Sequence, residues 1–315
     1  MIALDNGFDE ATAIVLEVDA SIARLNAIFG YRTIWRGQAA PATLELMGID
    51  PSWTADEALI GDPAQGRGNI RLFAFPGRDT GVMRDGAQAW DSGGLFDINI
   101  RALSAIEPIH AAMTRHGFCA FGPLTAWDFG ALSVKEVVSR DADGLAIAVM
   151  QRMAPPLTGY DDAIGDTSYV FNSTQVVPDF DAARAFYVDA LGWSVVQEST
   201  WAHASGDNCL GLPLDVARVR DLKVGIYQAN GRNEGSVEVL EYTAESLHFA
   251  EAGPPARGWA TLRFPMSDIE GFLVSAARGG CTILPPRVIR MEPWGDVTAA
   301  AAVTPWGVRL EAFRR

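Results

Sequence analysis

The sequence repeats itself at one spacing, and this repeat constrains the fold more than any other feature. Gly30 and Gly192 each follow a helix-like segment, and they are 162 residues apart. Because chance would rarely preserve one spacing over most of a chain, we predict that the protein arose by duplication of a shorter unit. Further pairs share this spacing or differ from it by one residue: Arg101 and Arg263, Gly117 and Gly279, Cys119 and Cys281, Pro123 and Pro285, Gly48 and Gly211, and Gly144 and Gly307.

Each half divides again into two modules with the same order of elements. Residues 170–177 have strand-forming residues, and residues 180–191 have the apolar spacing of a helix that Gly192 ends. Because strands are too frequent for a doubly wound parallel sheet, the sequence predicts an α+β fold of four βαβββ modules. The other predicted elements of the second half are strands 193–198, 222–228, 236–242, 260–264, 288–291, 297–303 and 308–313 and a helix over 269–278.

A stretch rich in proline and glycine, residues 154–159, lies between the two halves. Such a stretch is typical of a linker. We therefore predict two domains, residues 1–155 and residues 160–315, each made of two modules.

The charge balance limits the partners of the chain. It has 25 Lys and Arg against 39 Asp and Glu, a net charge of −14. Because basic surfaces bind nucleic acids and anionic membranes, we expect neither as a partner and expect a small molecule instead. The sequence has no membrane-spanning apolar run, no secretory leader and only three scattered cysteines. These features predict a cytoplasmic protein, and they leave a homodimer open.

A helix and a closing turn in the second half carry a family resemblance. Residues 180–193, FDAARAFYVDALGW, are a predicted helix with its terminal glycine, and residues 304–311, TPWGVRLE, are a turn with the last strand. Both resemble signatures of the vicinal oxygen chelate superfamily, which includes glyoxalase I, extradiol dioxygenases and bleomycin resistance proteins. The resemblance implies that paired modules form cupped, half-open barrels, with a ligand site in the second domain and a degenerate site in the first.

Metal-using members of this superfamily carry ligands on the first and last strands of each module. The matching positions of the second half include Glu238 and Glu311, which implies one divalent ion of unknown identity there. A catalytic zinc site usually has three protein ligands, so the absence of any cofactor stays open as the alternative. Because an arginine and an alanine replace ligands in the first half, we expect no metal there. The matching positions are Asn172, Glu238, Thr261 and Glu311 in the second half, and Glu10 or Thr12, Arg71, Asn99 and Ala148 in the first.

Other side chains are expected to complete a substrate site in the second half. Thr261 and Arg263 share the polar face of one predicted strand, and Arg263, with Arg101, either pairs with the glutamates or holds an anionic substrate. Trp201, Trp259 and Trp294 are expected to surround the second cup and stack on a flat ligand, with His203 in a loop at the rim. The predicted cavity is shared by Glu238, Glu311, Asn172, Thr261 and Arg263.

The leading functional interpretation is a glyoxalase-like lyase or isomerase that acts on a small oxygenated molecule. An aromatic substrate is one alternative within this interpretation. Glu311 or Glu238 would abstract a proton next to a carbonyl, while a metal or Arg263 holds the enolate oxygen. The alternative is a metal-free protein that binds or sequesters a small molecule. An extradiol dioxygenase is less consistent with the sequence, because Asn172 and Thr261 stand where the resemblance implies histidines.

Overall fold

A computed structural model describes residues 7–128, 130–201, 208–214, 217, 221–242 and 246–315, with only the backbone of Trp201. Two modules lie in the first half of the chain. The first consists of β1 (Glu10–Ile14), α1 (Val18–Phe29), β2 (Arg32–Gln38), the short helix α2 (Pro41–Leu46), β3 (Asp56–Gly61) and β4 (Asn69–Ala74). The second consists of β5 (Asp97–Ala102), α3 (Ile106–Arg115), β6 (Cys119–Ala120), β7 (Thr125–Asp128), β8 (Ser133–Arg140) and β9 (Ala146–Ala154).

Two further modules lie in the second half, so the predicted α+β fold of four modules is confirmed. The third consists of β10 (Thr167–Val176), α4 (Phe180–Arg184) with its π-helical continuation (Ala185–Ala190), β11 (Ser194–Trp201), β12 (Leu222–Gln228) and β13 (Ser236–Tyr242). The fourth consists of β14 (Gly258–Pro265), α5 (Ile269–Arg278), β15 (Thr282–Arg290), β16 (Asp296–Val303) and β17 (Arg309–Arg314).

The two glycines that reveal the repeat end equivalent helices. Gly30 has a φ of 72° and donates its N–H to the carbonyl of Asn26, which closes α1. Gly192 has a φ of 73° just after the π-helical turn. Because the left-handed conformation costs glycine little, a glycine is favoured at both positions. The duplicated sequence therefore encodes the same helix stop twice.

The modules pair across the two halves of the chain to form two sheets. The first and fourth modules form an eight-stranded sheet, and the second and third form a nine-stranded sheet. The first strands make the joints, since β1 pairs antiparallel with β14, and β5 pairs antiparallel with β10. We call the concave faces of these sheets the 1/4 cup and the 2/3 cup. The strand orders are β15-β16-β17-β14-β1-β4-β3-β2 and β11-β12-β13-β10-β5-β9-β8-β6.

The expectation that each half forms its own cup is therefore wrong. Each cup takes one module from residues 1–155 and one from residues 160–315. The sequence repeat identifies four similar modules, but the open edge of a first strand offers the same backbone hydrogen bonds to any equivalent strand. The long-range packing of the whole chain selects the partner.

The main hydrophobic core lies on the convex side of both sheets, under the helices. It combines Leu262 and Leu310 of one sheet with Ile98 and Val239 of the other, and with Leu25 of α1. Strand alternation then leaves the intervening side chains for the concave faces. Among the described residues, no helix is both long and apolar enough to cross a membrane.

Candidate functional site

The structure separates the two glutamates that were predicted to share a site. Glu238 lies on β13 at the 2/3 cup, whereas Glu311 lies on β17 in the sheet of the 1/4 cup. Asn172 is in the same sheet as Glu238, and Thr261 and Arg263 are in the same sheet as Glu311. The prediction of one cavity shared by these five residues is wrong, because the modules of the second half do not pair with each other.

Ion pairs occupy the concave face of the 1/4 cup. Arg71 donates from Nε and Nη2 to the two carboxylate oxygens of Glu10, over 2.7 and 2.9 Å, and it also pairs with Glu57. Arg263 Nε lies 2.8 Å from Glu311 Oε1, although this N–H is not aligned for a hydrogen bond. Arg263 Nη1 lies 3.5 Å from Glu10 Oε2, which joins the two groups of charges. All five side chains are buried, so this cup has an interior of three carboxyl groups and two arginines in contact.

Further contacts cover these charges. Trp294 Nε1 donates to Glu10 Oε1 over 3.2 Å, and Arg71 donates to the carbonyl of Glu292 over 2.8 Å. Leu46, at the end of α2, packs into an apolar cluster with the inner face of the fourth module. Burial alone would raise the pKa of Glu10, but the adjacent Arg71 outweighs it and lowers the pKa to about 2. Arg71 therefore holds the carboxylate of Glu10 ionised, whereas burial outweighs the same arginine at Glu57 and raises its pKa.

We expect the 1/4 cup to bind no divalent ion. Its arginines already pair with the carboxylates that a cation would need, and Arg71 occupies one of the ligand positions with a positive charge. Elemental analysis of the purified protein, combined with anomalous scattering from crystals, checks this expectation. A stoichiometric metal beside Arg71 would contradict it.

The 2/3 cup contains a cavity of about 230 Å³. Apolar side chains make most of its wall, and a few polar and charged groups point into it. This combination is typical of a site for a small organic molecule. The apolar lining includes Phe96, Trp127, Leu132, Val134, Val138, Met150, Phe171, Val224, Ile226 and Leu240.

Three carboxyl groups line this cavity: Asp97, Glu136 and Glu238. Burial raises the pKa of Glu238 to about 8, and the nearby carboxylates of Glu136 and Asp97 add to the shift. Burial also raises the pKa of Asp97 to about 7 and raises the pKa of Glu136. Glu136 accepts a hydrogen bond from Trp127 Nε1 over 3.0 Å. In the 1/4 cup, arginines pair with the acids. In the 2/3 cup, no arginine among the described residues forms an ion pair with Glu238.

Strand register places two of these acids at one level of the cup. Thr174 pairs with Asp97 on one side and with Glu238 on the other. Arg101 lies four residues along β5 from Asp97, or about 13 Å at the rise of an extended strand. Its guanidinium lies over the ring of Phe171, 3.8 Å from the centroid, and faces the same cavity. The cavity therefore has an acidic region and a basic region.

The residues of the 2/3 cup do not fit the metal site that the fold family implies. Asn99 donates to Asn172 Oδ1 over 2.7 Å, and Asn172 donates in turn to Ser236 over 2.7 Å. Ala148, at the fourth ligand position, has no donor atom, which leaves Glu238 as the one carboxylate of the predicted set. No group of three His, Cys, Asp or Glu side chains suited to a metal occurs among the described residues.

The structure changes the role of one further predicted residue, Trp259, and leaves two others untested. Trp259 is buried in the main core and donates from Nε1 to the carbonyl of Ala146 over 2.7 Å, so it does not stack in the cup of Glu238. Its direction follows from the register shift in β1 opposite it, between Thr12 and Ala13. His203 and the side chain of Trp201 lie outside the described residues, and their predicted contacts with a ligand stay predictions.

Asp97 and Glu136 of this cup were not among the predicted site residues, and Arg101 was considered only as a partner of the glutamates or of an anionic substrate. Asp97 and Arg101 were detectable, because they alternate with apolar residues in the first strand of their module. Glu136 has a weaker signal, since it stands between Val134 and Val138 on one face of β8, where an apolar residue would be expected. What the sequence does not show is that β8 and β13 face one another across a cavity.

Of the comparisons with known proteins, the one with solved structures supports this architecture. Neither a family model nor a curated protein sequence matches the chain. Glyoxalase I from Zea mays matches at a TM-score of 0.64 with 14% identity, over 98% of this chain and 92% of that one. A putative dioxygenase from Bacillus subtilis matches at 0.60 with 12% identity, over 99% of this chain and 86% of that one. The chain has the vicinal oxygen chelate fold. The resemblance inferred from residues 180–193 and 304–311 is confirmed at the level of this fold.

The raised pKa values of Glu238 and Asp97 in the 2/3 cup predict that the stability of the protein depends on pH. We expect stability to fall as pH rises, between 4.5 and about 8 for Glu238 and between 3.8 and about 7 for Asp97. In these windows the unfolded chain has released a proton that the folded protein retains, so rising pH favours unfolding. Thermal unfolding at a series of pH values checks this, and Glu238→Gln should flatten the slope. An equal slope in both proteins would contradict the assignment to Glu238.

Proposed function

We propose that the 2/3 cup binds a small oxygenated organic molecule and that Glu238 moves a proton at the carbon next to its carbonyl group. The reaction class is that of a lyase or an isomerase. The observation that supports it is the carboxyl group of Glu238, whose pKa is raised to about 8 beside a largely apolar cavity of about 230 Å³. A carboxylate with this pKa is a much stronger base than an exposed glutamate, and its acid form is available at neutral pH as well.

The other polar groups of the cup suit the two ends of such a ligand. Arg101 donates from Nε to the hydroxyl of Tyr160 over 2.8 Å, and its ion pair with Glu234 is long, at 3.6 Å. These contacts fix the guanidinium while leaving it at the cavity wall, where it can bind a second oxygen of the ligand, remote from the carbon that faces Glu238. The substrate class that follows has an apolar body, one oxygen directed to Arg101 and an acidic C–H directed to Glu238.

A metal-free binding protein is the second candidate. The amide pair of Asn99 and Asn172 and the loss of a ligand at Ala148 favour it, because the cup retains a shaped apolar cavity without a metal site. A sequestering protein would hold its ligand unchanged, whereas the proposed enzyme would exchange protons with it. The two candidates therefore differ in one measurable property.

Proton exchange in D₂O separates these candidates without knowledge of the product. A panel of small aromatic and aliphatic carbonyl compounds is incubated with the protein, and the loss of the ¹H signal next to the carbonyl is followed by NMR. The proposal expects exchange above the buffer rate for compounds that also raise the unfolding temperature. Compounds that bind and show no exchange favour the sequestering protein, and an absence of binding to the cavity rejects both.

A further inference from the structure

A second cavity, of about 240 Å³, lies where residues 83–95 and 250–254 meet the strands of the fourth module, and it shares no lining residue with the cavity of Glu238. Apolar residues such as Met83 and Val303 form much of its wall, and the exposed Glu251 stands at its rim. Two buried arginines, Arg84 and Arg309, also line it. The cavity therefore has a positive interior and an edge at the protein surface.

Arg309 is the most unusual group in this cavity. Arg309 is 6% exposed, and its Nε and Nη2 atoms have no hydrogen-bond partner in the part of the chain that the structure describes. Glu311 lies on the same face of β17, but its carboxylate is 2.8 Å from Arg263. Burial lowers the pKa of Arg309 to about 10, although Glu311 acts in the opposite direction. A buried guanidinium with unused donors is costly unless an anion meets it.

Arg84 adds a second positive charge to the cavity, and its hydrogen bonds go to carbonyl groups rather than to a carboxylate. Arg84 donates to the carbonyl of Asp91 over 2.7 Å and to the carbonyl of Gly93. Its guanidinium also lies 5.4 and 5.5 Å from the ring centroids of Phe96 and Phe249. These contacts hold the group in place through neutral hydrogen-bond and aromatic partners, while the carboxylates of Asp91 and Asp97 act on its charge from nearby.

We propose that this cavity binds a small organic carboxylate, with Arg309 as the group that receives the carboxylate oxygens. The planar fork of a guanidinium matches the two oxygens of a carboxylate, and the unpartnered Nε and Nη2 atoms lie on one edge of that fork. The apolar wall suits an organic body better than it suits a strongly hydrated inorganic phosphate. This site is separate from the proton-transfer site, which lies in the 2/3 cup.

Benzoate, its neutral analogue benzamide and inorganic phosphate test this assignment. We expect benzoate to raise the unfolding temperature of the wild-type protein in a concentration-dependent way, and benzamide at equal concentration to have little effect. Arg309→Met should abolish the benzoate shift and, without any anion, should unfold at a higher temperature than the wild type. Arg314→Met is the matched control, because Arg314 is exposed on the same strand and bonds to the carbonyl of Ser267. This control should keep the full benzoate response.

A second variant, Arg309→Lys, covers the case in which Arg309→Met does not fold. It keeps the charge and loses the fork, so titration calorimetry should show benzoate binding weakened several-fold or more. The proposal is overturned if the wild type responds equally to benzoate and benzamide, or if the Arg309 variants bind benzoate as tightly as the wild type. A response to phosphate without one to benzoate would assign an inorganic anion instead and reject the organic ligand.

Discussion

Glu238→Gln is expected to reduce proton exchange at the carbon next to the carbonyl by about a hundredfold to ten-thousandfold, the usual contribution of a general base. The glutamine has nearly the shape of the protonated glutamic acid but cannot accept the proton. Because the raised pKa keeps Glu238 largely neutral at pH 7, the folded variant should be at least as stable as the wild type. NMR exchange rates and thermal unfolding at the same pH measure both effects.

Glu241→Gln is the matched control for this change. Glu241 lies on the same strand but accepts a hydrogen bond from the backbone N–H of Phe180, a contact that a glutamine oxygen can keep. We expect this control to retain wild-type exchange. If Glu238→Gln also retained it while binding the same compounds, Glu238 would not be the base, and Glu136 would be the next carboxylate to replace.

Arg71→Met is expected to destabilise the protein by about 3–5 kcal/mol, the usual cost of removing one partner from a buried ion pair. The change leaves the carboxylates of Glu10 and Glu57 buried without the cation that holds both of them. Arg263 stays 3.5 Å from Glu10, which compensates for one of the two acids in part. Urea unfolding at pH 7 measures the loss of free energy.

Two comparisons make this result specific to the ion network. Arg290→Met removes an exposed arginine of the same sheet, whose pairs with Glu292 and Asp296 are at the surface, so we expect it to cost about 1 kcal/mol or less. Replacing Glu10 and Glu57 by glutamine together with Arg71→Met should recover much of the lost stability, since it removes the unpaired charges as well. An Arg71→Met protein as stable as Arg290→Met would show that the network is not needed for folding.

The two cups place their carboxyl groups in opposite electrostatic surroundings. In the 1/4 cup, Glu10 and Glu311 face arginines, and the pKa of Glu10 is lowered to about 2. In the 2/3 cup, Glu238 faces other acids, and its pKa is raised to about 8. A carboxylate held by an arginine is a poor base, whereas one kept near neutrality by burial can exchange a proton at physiological pH.

The sequence by itself determined the local structure of this protein. Gly30 and Gly192 end equivalent helices because each helix end has a left-handed backbone conformation that favours glycine. The alternation in residues 96–101 places Asp97, Asn99 and Arg101 on one face of a strand. The resemblance of residues 180–193 and 304–311 implied the family fold, and Asn172 and Glu238 do lie together on neighbouring strands. These features depend on residues close together in the chain, or on a repeat visible without coordinates.

Only the tertiary structure decided which modules share a cup and what surrounds each acid. Backbone pairing of β1 with β14 and of β5 with β10 does not depend on side-chain identity, so the sequence could not show that Glu311 and Glu238 are in different sheets. Glu311 lies beside an arginine, whereas Glu238 lies near Glu136 on a strand about a hundred residues earlier in the chain. A carboxylate's pKa depends on the charges and solvent within a few ångströms, and those neighbours are set by packing between distant modules.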